Sequence, residues 1–287
     1  MPDFSRWLLG VDVAGVNGRV VDAKALKNEG LVFAFAKVSE GVTFADPLWQ
    51  KNRDAILGQG LVCGGYHFLN RTDPAAQVAS FLGKLGVDPY SLLLAVDVET
   101  GLSGIGPNFA TVLSFADEFK RALPGHPLIV YSGGWYWRGI MGNPDGSHIG
   151  PLWDSSYIAG KALCSRLYKT GGKDGKGVTP TYFKAYGGWS LETRVIRQFS
   201  STGTSGGMGG VDCDAFWGTV DELRGLMGKR PVAPPVVIPD DWTPEGRRLQ
   251  TLGVMQGRDD GLMHPYEPAT RQDLAVMLGR MLDLPKG

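Results

Sequence analysis

Two acidic residues, Asp97 and Glu99, stand at the end of an apolar stretch, residues 92–98, that predicts a β-strand. Side chains alternate between the two faces of a strand, so residues two apart point to the same side. Two carboxylates on one side repel, and one is expected to keep its proton at a pH where a free carboxyl group has lost it. A proton donor beside a negative charge is what cleavage of a glycosidic bond requires. A strand end that only solvates two acids would show the same pattern, so the surrounding sequence has to decide.

Short apolar segments alternate with segments of helical spacing along the chain. The predicted strands cover residues 7–13, 31–38, 61–69, 92–98 and 128–132, with further strands expected near 152–157, 184–186 and 195–199. The clearest predicted helix carries one apolar stripe, formed by Phe109, Val112, Leu113, Ala116, Phe119 and Leu123. This alternation indicates an α/β protein with a parallel sheet covered by helices. We predict an irregular, TIM-like β/α barrel with a small C-terminal helical domain, and a site at the C-terminal ends of the strands.

Polar and aromatic residues gather at those predicted strand ends. Besides Asp97 and Glu99 they are Asp12, Lys37, Glu40, Tyr66, His67, Phe68, Tyr131 and Ser132, followed later in the chain by Trp153, Tyr157, Gln198 and Asp212. Acids surrounded by aromatic rings suit a sugar, whose C–H faces stack on the rings while its hydroxyls bond to carboxylates. Taken singly, Tyr66 and Trp153 could be packing residues, and Lys37 could simply neutralise Glu40 or Asp12. Their joint placement favours a sugar-binding site.

Composition narrows the function classes. The chain has 29 Lys and Arg residues against 29 Asp and Glu residues, so its formal net charge is zero. Such a balance predicts no long-range attraction to nucleic acid or to an anionic membrane. No apolar run is long enough to predict a membrane span, and the first residues lack the pattern of a signal peptide. We therefore expect synthesis in the cytoplasm.

The cysteines and histidines are few and scattered. Cys63, Cys164 and Cys213 have neither the number nor the spacing of a disulfide framework or a metal site. Cys63 and Cys213 lie in strand-like segments and are interpreted as small buried hydrophobic residues. The four histidines form no zinc-type cluster, so we predict no metal and no cofactor.

Eight short motifs occur in the order seen in glycoside hydrolase family 25, the Chalaropsis-type lysozymes that are common among bacteriophage endolysins. The resemblance covers residues 8–225 and is carried by residues 10–13 (GVDV), 36–41 (AKVSEG), 65–68 (GYHF), 96–99 (VDVE), 129–132 (IVYS), 151–153 (PLW), 198–201 (QFSS) and 211–212 (VD). It implies an irregular β/α barrel that cleaves the β-1,4 bond between N-acetylmuramic acid and N-acetylglucosamine in peptidoglycan. It also implies action on the bacterial wall after release from the cell.

The resemblance assigns roles residue by residue. Glu99 resembles the general acid/base, Asp97 its electrostatic or neighbouring-group partner, and Asp12 and Asp212 further acids of the site. The residues expected to bind substrate are Lys37, Glu40, Tyr66, Phe68, Tyr131, Trp153, Tyr157 and Gln198. Retention of the anomeric configuration would follow from participation of the substrate acetamide.

The chain departs from the family pattern at several positions. Ala14 and the pair Val16 and Asn17 stand where the family has Ser and a Trp-Gln pair, and Arg197 replaces an aromatic residue. Asp214 stands where Asn is usual, and the segment 159–188 carries a Gly- and Lys-rich insertion. Since all four acids are retained, these departures bear on substrate contact more than on activity.

A second unit is predicted after the barrel. Residues 1–228 are assigned to the catalytic barrel, the Pro-rich residues 229–241 to an extended linker, and residues 242–287 to a small helix-loop-helix domain. This last segment resembles a single surface-layer-homology repeat. The resemblance implies binding of a secondary cell-wall polymer, and assembly into a homo-oligomer is an equal alternative.

Two other functions fit the same residues less well. A catalytically silent barrel could bind glycans as a wall-adhesion protein, but Asp97 and Glu99 would then have no reason to be present. A chitinase-type or deacetylase barrel would act on acetylated glycans, and metal-dependent deacetylation needs an Asp/His ligand set that the sequence lacks.

Overall fold

The computed structural model describes residues 5–101 and 104–231. The chain divides into two units, Met1–Arg230 and Pro231–Gly287. The predicted linker and the segment that resembles a surface-layer-homology repeat lie, apart from the first residues of the linker, outside the described residues, so the domain boundaries stay a prediction.

Eight strands of the described chain close into a barrel. The strands are β1 (Leu8–Val13), β2 (Phe33–Glu40), β3 (Phe44–Ala45), β4 (Val62–Phe68), β5 (Leu93–Asp97), β6 (Ile129–Ser132), β7 (Leu152–Ser155), β8 (Arg194–Ser205) and β9 (Met208–Phe216). Going round the barrel the order is β1, β2, β4, β5, β6, β7, β8 and β9, and β9 pairs back with β1. The two-residue strand β3 pairs antiparallel with β2 and takes no part in the closure.

The predicted irregular β/α barrel is therefore confirmed, but a regular TIM barrel is not what forms. Six neighbouring pairs, from β1–β2 to β7–β8, are parallel. Strand β9 instead runs antiparallel to both β8 and β1. The reason is the connection: β8 and β9 are joined by Gly206 and Gly207, both with positive φ (53° and 66°). A two-residue turn of this kind makes a hairpin, whereas a parallel pair needs a long crossover.

Helices cover the outside of the parallel strands. They are α1 (Ala23–Asn28), α2 (Trp49–Gly58), α3 (Pro74–Gly83), α4 (Phe109–Ala122), α5 (Gly134–Gly139) and α6 (Cys164–Thr170). The last described helix, α7 (Val220–Gly225), instead packs Leu223 against the side chains of the barrel interior. Helix α4 begins where Asn108 accepts a hydrogen bond from the Thr111 amide. Of its predicted apolar stripe Val112, Ala116 and Phe119 are buried and Phe109 and Leu113 partly buried, while Phe115, which the stripe did not include, is also buried. The strand expected near residues 184–186 does not form; Tyr186 there donates its hydroxyl to Ser132 O and Asp154 Oδ1. No helix in the described ranges is long and apolar enough to cross a membrane.

Two hydrophobic cores follow from the alternation of the barrel strands. One set of side chains fills the barrel interior and includes Phe33, Phe35, Leu93, Ile129 and Ile196. The alternate set, such as Ala34 and Ala36, packs against the helices. Because the interior is filled, the cavity can open only at the strand ends.

A disulfide joins Cys164 of α6 to Cys213 of β9, so the expectation of no disulfide is wrong. The two cysteines are 49 residues apart in sequence. Only the packing of α6 onto the β8–β9 hairpin brings them together, and spacing alone does not show this. Gly203 makes room, because a Cβ there would lie 2.2 Å from Cys213 Sγ. Cys63 is free and buried, as expected.

Candidate active site

A pocket opens at the C-terminal ends of the parallel strands. Its lining consists of Asp12, Ala14, Val16, Lys37, Tyr66, Phe68, Asp97, Glu99, Tyr131, Trp153, Tyr157, Gln198 and Asp212. Eleven of the twelve site residues expected from the sequence are in this lining. The exception is Glu40, which lies outside the lining and forms an ion pair with Lys37 of the lining. Ala14 and Val16 were noted in the sequence only as departures from a family pattern, and their place in the lining was not foreseen.

Asp97 and Glu99 both face the pocket, as the alternation predicted. Asp97 is the last residue of β5, and its register neighbours are Phe68 on β4 and Tyr131 on β6. Val98, between the two acids, is fixed: its amide donates to Tyr131 O at 2.9 Å and its carbonyl accepts from Ser132 Oγ at 2.8 Å. The backbone that carries both carboxyl groups is thus held by β6. Asp97 Oδ1 is buried and has no hydrogen-bond partner among the described residues.

The surroundings of these two acids shift their proton affinity. Burial raises the pKa of Asp97 well above its usual range, and the charge of Glu99 raises it further. Burial also raises the pKa of Glu99, while the Lys37 ammonium lowers the pKa of both groups. The pair therefore holds a proton at a pH where free carboxyl groups have lost theirs.

Lys37 is held by its own partners. Its Nζ lies 2.6 Å from Glu40 Oε2, and it also sits 4.7 Å from the centroid of the Phe68 ring. Of the two alternatives left open by the sequence, Lys37 pairs with Glu40 and not with Asp12. A cation anchored in this way contributes a fixed positive field beside Asp97 and Glu99.

Gln198 joins the two sides of the pocket. Its Nε2 donates to Asp12 Oδ2 at 2.6 Å, and its Oε1 accepts from the hydroxyls of Tyr131 and Tyr157, each at 2.8 Å. The two hydroxyl donors fix which end of the amide faces Asp12. Asp12 and Tyr131 are predicted site residues that the structure connects through this one side chain.

Strand β9 carries two acids, Asp212 and Asp214, two residues apart. Asp212 lines the pocket, and burial together with the charges of Asp12 and Glu99 raises its pKa to about 8. Asp214 is fully buried behind the pocket, where its Oδ1 accepts from Trp153 Nε1 at 2.8 Å. The sequence did not place Asp214 in the site. The signal was there, because residues two apart on a strand share a face.

The aromatic residues divide into a floor and a rim. Trp153 is only 2% exposed and packs on Phe35, Tyr131 and Tyr66, with ring centroids 4.4, 5.0 and 6.5 Å away. Tyr157 is 53% exposed. Trp153 and Tyr66 thus belong to the packed barrel interior and also line the pocket, so they are packing residues and pocket residues at once.

His67 stays outside the site although it follows Tyr66. Its ring lies in the outer core, with Nδ1 2.9 Å from Ser39 Oγ and Nε2 3.1 Å from Gln77 Oε1. Burial lowers its pKa to about 4, which keeps the ring neutral.

No group of three or more potential ligands among the described His, Cys, Asp and Glu residues is arranged to hold a metal ion. The pocket thus combines two carboxyl groups with raised pKa values, an anchored cation and aromatic walls, which suits acid-catalysed cleavage of a sugar.

Comparisons with known proteins agree with this geometry. The model of the Glycosyl hydrolases family 25 matches residues 11–170. An autolytic lysozyme from Clostridium acetobutylicum is 27% identical over 160 residues, which are 55% of this chain and 48% of the relative. Lysozyme M1 from Streptomyces globisporus is 24% identical over 231 residues, which are 76% of this chain and 70% of the relative. The chain thus spans about half the length of the first of these relatives.

The fold has solved counterparts. The crystal structure of a bacterial lysozyme from Streptomyces coelicolor matches with a TM-score of 0.62 and 22% identity, over 77% of this chain and 96% of the other. At this identity the likeness concerns the fold. The family match covers more than half of the sequence, and together with the fold it confirms the expected glycoside hydrolase at the level of the family. This chain belongs to glycosyl hydrolase family 25.

Proposed function

We propose that the protein is an N-acetylmuramidase that cleaves the β-1,4 bond between N-acetylmuramic acid and N-acetylglucosamine in bacterial peptidoglycan. The observation that carries the proposal is the pair Asp97 and Glu99, which face one pocket with raised pKa values. The family supports it, since relatives of this chain are lysozymes. The aromatic and acidic lining suits a glycan strand.

Glu99 is the proposed proton donor to the glycosidic oxygen. It is less buried than Asp97 and lies two residues beyond the end of β5, where a bound glycan can reach it. The leaving group needs a proton as the C–O bond breaks, and a carboxyl group with a raised pKa can supply it near neutral pH. The same group, once ionised, then takes a proton from the attacking water.

Asp97 is the proposed anionic partner. Its side chain lines the pocket, where the carboxylate can accept a hydrogen bond from the N–H of the substrate acetamide. An acetamide held in this way can attack the anomeric carbon with its carbonyl oxygen, so that water later displaces it with net retention. Burial and the charge of Glu99 raise the pKa of Asp97 more than Lys37 lowers it, so the hydrogen bond from the acetamide N–H has to favour the charged form of Asp97 once substrate is bound.

The deciding experiment is mass spectrometry of peptidoglycan digested with the purified protein. Muramyl reducing ends support the proposal, and glucosaminyl reducing ends would point instead to a chitinase-type specificity. Binding to the wall without cleavage would favour the non-catalytic glycan-binding alternative. Glu99→Gln should lower the rate of wall clearing about 10²–10⁴-fold. Glu118→Gln, on the outer helix α4 away from the pocket, is the matched control.

We further propose that residues 242–287 bind a secondary cell-wall polymer, on the resemblance of their sequence alone, and that the enzyme acts as an endolysin on the wall after release from the cell. Wall pull-down should retain the full chain and lose a chain ending at Gly228. Equal retention of both would exclude targeting. Light scattering of both proteins tests the alternative, in which this segment makes a homo-oligomer.

A further inference from the structure

Asp214 of β9 is a buried carboxyl group that forms no ion pair with any described residue. Its register neighbours are Gly10 on β1 and Gln198 on β8, and its side chain is fully enclosed. Oδ1 accepts from Trp153 Nε1 at 2.8 Å, while Oδ2 is buried and has no donor among the described residues. An ionised carboxylate in such a place is costly, because one oxygen has lost its water and gained no hydrogen bond.

Asp12 supplies the contact that Asp214 lacks. In the β1–β9 ladder Asp12 pairs with Asp212 and Gly10 with Asp214, so Asp12 and Asp214 are diagonal neighbours on one face, and their side chains interact. Each also has one N–H donor: Gln198 Nε2 bonds to Asp12 at 2.6 Å, and the Trp153 indole bonds to Asp214. Ionised carboxylates only accept hydrogen bonds. Asp12 and Asp214 can therefore form a hydrogen bond with each other only when one of the two carboxyl groups is protonated.

The charges around this pair keep the proton there. The acids nearest to the pair are Asp212 on β9 and Glu99 beyond the end of β5. The other titratable groups that face it are Tyr66, Tyr131 and Tyr157, and Asp97 and Lys37 lie farther along the pocket lining. The ion pairs in the described part of the chain include neither Asp12 nor Asp214. Burial and the neighbouring acids raise the pKa of both groups well above the usual range of Asp.

We propose that Asp214 is a positioning residue that shares one proton with Asp12, holds Asp12 and the Trp153 indole in place for glycan cleavage, and disables the site when this proton is lost at alkaline pH. The kinetic part of this inference rests on the proposed muramidase function, whereas the shared proton does not. With the proton present the pair carries one negative charge. Without it two buried charges repel, and Asp12 is driven from the amide of Gln198.

Asp214→Asn tests the shared proton directly. The amide has the shape of the carboxyl group and can donate to Asp12, but it does not titrate. In the folded wild type the pair keeps one proton that its members lose above about pH 4 in the unfolded chain. D214N lacks this one difference, while the other acids of the pocket are the same in both proteins. The free energy of unfolding of the wild type should therefore fall relative to that of D214N as pH rises from about 5 to 8. The release of one proton on unfolding corresponds to about a tenfold change in the unfolding equilibrium constant per pH unit. A difference that stays constant over this range overturns the shared proton.

Kinetics on purified peptidoglycan test the positioning role. Asp214→Leu has a similar volume but neither donates to Asp12 nor accepts from Trp153, so its kcat/KM should lie at least about tenfold below that of D214N. The ratio of kcat/KM for D214N to that of the wild type should rise toward alkaline pH. Equal activity of D214L and D214N, or a ratio that does not depend on pH, overturns the role. If D214L does not fold by circular dichroism, the pH dependence of the D214N ratio decides. If the wild type itself cleaves nothing, the proposed function fails while the unfolding titration still reports on the proton.

Discussion

Asp12 and Asp212 are direct partners in the antiparallel ladder between β1 and β9. Opposite residues of this kind have Cβ atoms about 5 Å apart, and two like charges placed there destabilise a sheet. Burial and the charge of Asp12 both favour the neutral form of Asp212 and raise its pKa to about 8. The neutral form avoids the repulsion. The barrel therefore closes through a strand pair whose stability depends on protonation.

Asp212→Asn should stabilise the protein at neutral pH but not in mild acid. Asp212 keeps its proton in the folded state up to a pKa of about 8, whereas in the unfolded chain it ionises near 4. As pH rises through this window, Asp212 ionises in the unfolded chain but not in the folded protein, so the free energy of unfolding of the wild type falls. The melting temperature of D212N should exceed that of the wild type by an amount that grows from pH 4 to pH 8 and then levels off.

Asp117→Asn is the control for this titration, because Asp117 is exposed on α4. Its melting temperature should follow that of the wild type at every pH. A D212N curve parallel to the wild-type curve would show that Asp212 is ionised in the folded protein, and the electrostatic account of the β1–β9 pair would then be wrong.

Lys37 and Glu40 should move the pH–rate profile in opposite directions. Lys37 lowers the pKa of Asp97 and Glu99, so Lys37→Met should shift both limbs of kcat/KM to higher pH. Glu40 raises the pKa of Asp97 and neutralises Lys37, so Glu40→Gln should shift the limbs to lower pH. Rates of wall clearing over a range of buffers at constant ionic strength measure both shifts.

Lys51→Met, on the exposed side of α2, should leave the profile in place. Shifts of the same sign in K37M and E40Q would mean that the two side chains act by contact with substrate, and that their charge does not set the proton affinity of the acids.

The sequence was sufficient for most of the site because the site lies on regular strands. Alternation placed Asp97 and Glu99 on one face, and the polar ends of β1, β2, β4 and β6 met at one rim, since parallel strands all end on the same side of a barrel. The apolar strands also showed where the barrel wall lies, because strands buried on both faces are apolar throughout.

What the sequence did not predict depends on contacts between distant segments. The reversal of β9 was readable only from the turn at Gly206 and Gly207, a local signal inside a long Gly-rich stretch. The disulfide needs α6 to dock on the β8–β9 hairpin. The hydrogen bonds of Gln198 run from β8 past β9 to Asp12 on β1 and past β7 to Tyr131 on β6, so they form only in the closed barrel. Tertiary packing decides such pairs, and no spacing in the chain encodes them.

The disulfide between Cys164 and Cys213 should contribute a large part of the stability of the barrel. It closes a loop between residues 49 apart, which in the chain-entropy view is worth about 4 kcal/mol. The double variant Cys164→Ser, Cys213→Ser should lose up to this free energy of unfolding in denaturant titrations. Reductant should lower the stability of the wild type and leave the double variant unchanged, since the remaining Cys63 is free. Equal sensitivity of both proteins to reductant would show that the bond is absent in solution.

The hydrogen bonds of Tyr131 and Tyr157 to Gln198 should act as redundant supports for Asp12. Both hydroxyls donate to Gln198 Oε1 at 2.8 Å, so either one alone suffices to keep Nε2 pointing at Asp12. The single variants Tyr131→Phe and Tyr157→Phe should each lose less than about threefold in kcat/KM. The double variant leaves Oε1 without a donor, so the amide can rotate and its loss should exceed the product of the single losses several-fold, the signature of coupled groups in a double-mutant cycle. Tyr182→Phe, on an exposed side chain outside the pocket lining, is the matched control. Strictly multiplicative losses would mean that the two tyrosines act on the substrate independently and do not orient Gln198.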